Sequence, residues 1–111
     1  MIRSLGRITI TTGGTPHRCT ENETTPTKHY PCQSLLFEQW PGNTGKIYVG
    51  TESMVKATGV GVIAILAIPT DNVLPSFSAS IPSAPAALNA VNYWVDAEVD
   101  GEFVLVLAIR A

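Results

Sequence analysis

Two runs of residues close the chain, 91–99 and 102–109, and their alternation fits a β-strand and little else. In the second run Val104, Val106 and Ala108 fall on one side and Phe103, Leu105 and Leu107 on the other, because strand side chains point to opposite faces in turn. Asp100-Gly101 stands between the runs. This is the pair favoured in a two-residue type I′ hairpin, whose central residues both need positive φ. Such a loop predicts a register with Val99 opposite Glu102, Ala97 opposite Val104, Val95 opposite Val106 and Tyr93 opposite Ala108. One ribbon face is then almost wholly apolar and is expected to be core. The other carries Trp94, Asp96 and Glu98 beside Phe103, Leu105 and Leu107. A solvated face has no need of three large apolar residues on one strand. Either a second layer of the same domain or another chain is expected to cover it.

Upstream, strand signals continue. Residues 7–12 alternate apolar with polar and end at Gly13-Gly14. Residues 15–20 suit a second short strand, and residues 21–29 are polar, contain Pro26 and read as a surface loop. Residues 33–40 are strand-like, residues 41–45 (PGNTG) form a strong turn, and residues 46–50 are expected to return as the partner strand. The apolar, β-branched run 60–68 suits a strand buried on both faces. Four prolines then punctuate residues 69–85, between which residues 76–81 read as an edge strand and residues 85–89 as a single helical turn. The expectation is one all-β domain over residues 1–111, a β-sandwich or jelly-roll-like barrel, mostly antiparallel, with residues 1–6 as an N-terminal arm.

Composition narrows the function. Charged residues are only 14% of the chain and the net charge is −2, which gives no electrostatic footprint for nucleic acid. So low a charge is expected where a partner covers part of the surface. The longest apolar run is about half of what a bilayer crossing needs, and the N-terminus lacks a signal-peptide pattern, so a soluble, non-secreted product is expected. Asp96, Glu98, Asp100 and Glu102 hold four of the nine acidic residues. Against basic Arg3, Arg7 and Arg18 they suggest steering between copies, or simply a solvated acidic tip.

Chemistry-bearing residues are few. His17, Cys19, His29 and Cys32 form the one constellation, able in principle to close a two-Cys, two-His zinc site across the 21–29 loop. The single residue between His17 and Cys19 is shorter than usual ligand spacing. A Cys19–Cys32 disulfide and two separate thiols are the alternatives. Residues 42–46 (GNTGK) invite a phosphate-loop reading that fails, because Trp40 stands where the motif needs glycine and Ile47 where it needs Ser or Thr. Neither histidine has a nearby Asp to orient it, and no nucleophile elbow is present, so no enzyme activity and no required cofactor are expected.

The order of motifs carries a resemblance. Asn43-Thr44-Gly45-Lys46-Ile47-Tyr48-Val49-Gly50, the apolar run, Asn92-Tyr93-Trp94-Val95-Asp96-Ala97 and finally Asp100-Gly101-Glu102 resemble small virion proteins of tailed bacteriophages. The resemblance covers roughly residues 33–109 and leaves the His/Cys region outside. It implies a structural protein that decorates or cements the capsid surface, made in the host cytoplasm, with the major capsid protein and copies of itself as partners and a homotrimer as the expected oligomer. Arg3, Arg7, Trp94, Phe103, Leu105 and Leu107 are the candidate partner-binding residues. The alternative is a ligand-binding β module: a tail or fibre domain that reads carbohydrate through Trp40 and Trp94, or a zinc-stapled recognition domain.

Overall fold

The computed structural model describes residues 2–70, 73–80 and 88–109. Ten strands follow one another: β1 (Ile2–Ile10), β2 (His17–Arg18), β3 (Pro31–Cys32), β4 (Ser34–Gln39), β5 (Ile47–Val55), β6 (Val60–Leu66), β7 (Ser76–Ser80), β8 (Leu88–Asn89), β9 (Trp94–Ala97) and β10 (Glu102–Ile109). The pairing is nested. β1 pairs with β10, β2 with β9, β3 with β8, β4 with β7 and β5 with β6, all antiparallel. The chain is thus a long double ribbon, folded over so that β10 also pairs with β4 and β5 with β9. Two four-stranded sheets result, ordered β1-β10-β4-β7 and β2-β9-β5-β6, with the short β3–β8 pair beside them. This strand order is that of a jelly roll. The expected all-β sandwich is present, as two open sheets and not a closed barrel.

The core lies between the sheets. One sheet contributes Ile8, Ile10, Leu35, Phe37, Val104, Val106 and Ala108; the other contributes Ile47, Val49, Leu66, Val95 and Ala97. Period-two alternation places each of them, so the residues between face outward. Phe37 is the largest of the fully buried side chains, its ring 6.4 Å from Phe77 and 5.9 Å from Tyr93. β1 breaks its alternation once. The register slips between Ser4 and Gly6, and Gly6 takes φ +92, a left-handed conformation that costs glycine little. That bulge turns Leu5 into the core at 1% exposure.

Several expectations are corrected by this topology. Residues 2–6 do not form an arm; they are the first half of β1, with Ile2 opposite Ile109. The closing hairpin is not a hairpin, because β9 and β10 belong to different sheets. Among the described residues no non-glycine residue has positive φ, so Asp100-Gly101 cannot be a type I′ turn, and the predicted register gives way to Val104 opposite Gln39 and Ile8. Residues 41–45 likewise carry the chain from β4 in one sheet to β5 in the other. β6 is an edge strand and not a doubly buried one: Ile63 and Ile65 are exposed. The edge strand expected at 76–81 is present as β7 over Ser76–Ser80, and residue 81 lies outside the described residues. Of the helical turn expected at 85–89, residues 85–87 lie outside the described residues. Leu88 and Asn89 form β8, and a single 3-10 turn follows at Ala90–Asn92. Among the described residues no helix is long and apolar enough to cross a membrane.

Candidate functional site

β10 runs between β1 and β4, and its outward residues Phe103, Leu105 and Leu107 are half-buried. Register supplies the surroundings. Thr9 lies opposite Phe103, Arg7 opposite Leu105 and Ser4 opposite Leu107 on one side. Glu38 lies opposite Leu105 and Leu36 opposite Leu107 on the other. The result is an apolar strip of Phe103, Leu105, Leu107 and Leu36 with a cation on one flank and a carboxylate on the other. Arg7 and Glu38 are separated by two strand spacings, about 10 Å.

At the Phe103 end the face is built more tightly. The Arg7 guanidinium lies 4.2 Å from the Phe103 ring centroid and 4.9 Å from that of Trp40. The two rings meet edge-on, 6.0 Å apart at 63°. Cation–π contact places the Arg7 guanidinium beside both rings. Arg7 forms no ion pair among the described residues. A planar cation, two aromatic rings and a leucine strip with polar borders have the make-up of an interface centre.

Of the predicted partner-binding residues, the structure brings together Arg7, Phe103, Leu105 and Leu107. Arg3 is not with them. Lying before the bulge, it sits opposite Ala108 instead of an outward residue, pairs with Glu23 at 2.9 Å and lies over the Tyr30 ring. Trp94 is on the other sheet, beneath the Arg18 guanidinium at 4.6 Å. Trp40, which the carbohydrate reading joined to Trp94, lies just past the end of β4, in contact with Phe103 of the first sheet, whereas Trp94 is in β9 of the other. Leu36, Glu38 and the place of Trp40 in the face were missed. The alternation of β4 does put Leu36 and Glu38 on one side, but only the β4–β10 register shows which strand they adjoin.

The four acidic residues near the C-terminus turn out to hold loops. Glu102 Oε1 accepts from the backbone N–H groups of Thr44 and Gly45, each at 2.7 Å. Asp100 Oδ1 accepts from Gly13 N at 2.7 Å and Asp96 Oδ1 from Gly14 N at 2.9 Å. Glu98 accepts from Lys46 N at 3.3 Å. Asn43 completes the tie: its side chain accepts from Phe103 N at 3.0 Å and donates to Phe103 O at 2.6 Å and to Gln39. The Asn-Thr-Gly and Asp-Gly-Glu segments thus bond to one another, across the gap between sheets, directly beneath Phe103.

The proposed zinc ligands are not gathered. His17 Nδ1 is 2.6 Å from Glu21 Oε1, and exposed His29 lies on the rim of a polar cavity of about 250 Å³ with Arg3, Glu23 and Lys28. Both cysteines are buried thiols. Cys19 Sγ donates to Ala90 O at 3.0 Å and Cys32 Sγ to Leu88 O at 3.8 Å. Burial, and secondarily Cys32, pushes the Cys19 thiol up to about 12, away from the thiolate a metal requires. The same causes, burial first, raise the Tyr93 hydroxyl. Among the described residues no three His, Cys, Asp or Glu side chains converge as metal ligands would. Comparison with known protein families, with curated proteins and with solved structures finds no match to this chain.

Proposed function

We propose that this chain is a structural virion protein of a tailed bacteriophage that binds the outside of the capsid through the Arg7–Phe103–Leu105–Leu107 face. The observation that carries the reading is that face itself: an apolar strip on an outer sheet surface, bordered by Arg7 and Glu38 and headed by Arg7 in contact with the edge-on rings of Trp40 and Phe103. The role is one of binding, with the major capsid protein as partner and the assembled particle as location. No catalytic step is assigned.

Two further points support it. The motifs behind the bacteriophage resemblance are the ones that brace the face from below, through Asn43 and Glu102. A jelly roll also serves viral capsid domains, although lectins and cupins share the topology, so the fold alone selects none of them. The physics of decoration suits a small patch. One strip of this size binds weakly, and repetition over a symmetric lattice supplies the avidity. Quantitative mass spectrometry of purified particles tests the assignment. Copies in proportion to the major capsid protein are expected; a handful per particle places the chain at the tail or neck and rejects capsid decoration.

A further inference from the structure

An open sheet ends in edges, and an edge with unpaired backbone groups recruits another strand unless something blunts it. Three of the four edges here are blunted. β1 carries the Leu5–Gly6 bulge and two arginines, and Asn22 Nδ2 donates to the Arg7 carbonyl at 3.1 Å. β2 is two residues long. β7 has five residues, three of them serine, and directly follows Pro75. β6 carries an irregularity too, since its register against β5 shifts between Ala64 and Val62 and Gly61 takes φ +74, but it has neither a charge, nor a proline, nor the shortness of β2 and β7. It is seven residues long, Val-Gly-Val-Ile-Ala-Ile-Leu, and no residue from 57 to 70 is charged. Among the described residues no strand pairs with its outer side. Beside that edge stand Ile63 and Ile65, 52% and 57% exposed, on the outer face of the sheet.

We propose that β6 pairs with β6 of a second copy of this chain, antiparallel about a two-fold axis at Ala64, joining two four-stranded sheets into one of eight. The sequence is self-complementary about that point. With Ala64 on the axis, Ile63 of each copy stands opposite Ile65 of the other, giving a row of four isoleucines on the outer face. Val62 stands opposite Leu66 on the inner face, extending the core side of the sheet. Directly opposed β-branched pairs are the unit of sheet stabilisation, and like charges opposite one another would oppose it. A neutral strand meeting its own copy places none there. The same patch on both copies gives an isologous, closed pair, which is the arrangement that does not run on into fibres. The pairing is independent of what the Arg7 face binds, since the two surfaces lie on different sheets.

Sedimentation equilibrium of the full chain over a concentration series tests the proposal. Twice the 11.8 kDa chain mass is expected for the unaltered protein. A chain with Ile63→Lys and Ile65→Lys, altered only at exposed positions, is expected to keep its circular dichroism spectrum and give the single-chain mass. Amide exchange in β6 is expected to slow in the unaltered chain as concentration rises through the mass transition, with the rest of the sheet unchanged. A single-chain mass for the unaltered protein, a three-fold mass, a pair that survives the lysine substitutions, or β6 exchange insensitive to concentration overturns it.

Discussion

Glu102 is 8% exposed, and one of its oxygens holds two backbone N–H groups of the turn that leads from its own sheet to the opposite one. Removing a buried charged acceptor leaves donors that nothing else satisfies, so Glu102→Ala is expected to cost about 3 kcal/mol. Glu102→Gln keeps an oxygen but loses the charge that strengthens both bonds, and is expected to cost about 1 kcal/mol. Urea midpoints measure both, and equal losses would show that the bonds contribute little. Cys19 gives a pH prediction. Its thiol stands at about 12 in the fold against an ordinary 9.0, so over that interval the folded chain holds a proton the unfolded chain has released. Stability from this source is complete below about pH 9 and falls as pH rises towards about 12, by about 1.4 kcal/mol per pH unit for one proton. Cys19→Ala is expected to flatten that part of the alkaline limb. Little of this residue-scale chemistry was legible in the sequence. Asp96, Glu98, Asp100 and Glu102 read as a charged tip because local pattern does not show which distant N–H group faces a carboxylate.

At the scale of elements the sequence was a better guide to faces than to partners. The alternation in residues 102–109 assigned Val104, Val106 and Ala108 to the core face and Phe103, Leu105 and Leu107 to the opposite one, as observed, but left open what lies beyond the second face. It could not assign pairing, because strands that follow one another may lie side by side in one sheet or stack across two. Turn chemistry is the same in both cases. Asp100-Gly101 and residues 41–45 reverse the chain but join stacked strands, tied by side chains instead of by a ladder. The 60–68 run failed for a related reason. Apolar, β-branched composition marks a strand, whereas burial on both faces depends on what lies beyond it, and the sheet ends at β6. Loop docking can be tested at Gly13, where an added Cβ would stand 2.8 Å from the Ala97 carbonyl oxygen and 3.0 Å from Lys56 Nζ. Gly13→Ala is expected to cost about 1–3 kcal/mol through that clash. Because the shift also breaks the Asp100 bond, combining it with Asp100→Ala is expected to cost less than the two single losses summed. Strict additivity in a double-mutant cycle would contradict the docking.

For the whole molecule, the nested ribbon gives a braced outer sheet whose centre strand presents Phe103, Leu105 and Leu107 beside Arg7. The core beneath that strand is separate from the face above it, so the two can be altered independently. Phe37→Ala strikes the core and is expected to cost about 3–5 kcal/mol in denaturant unfolding. The most direct test of the capsid-binding account is the occupancy of purified capsids by a Leu105→Asp, Leu107→Asp chain, supplied in competition with the unaltered chain. The account predicts a protein that still unfolds cooperatively in urea but is nearly absent from the capsids. A folded double variant that fills the capsid sites as well as the unaltered chain would contradict it.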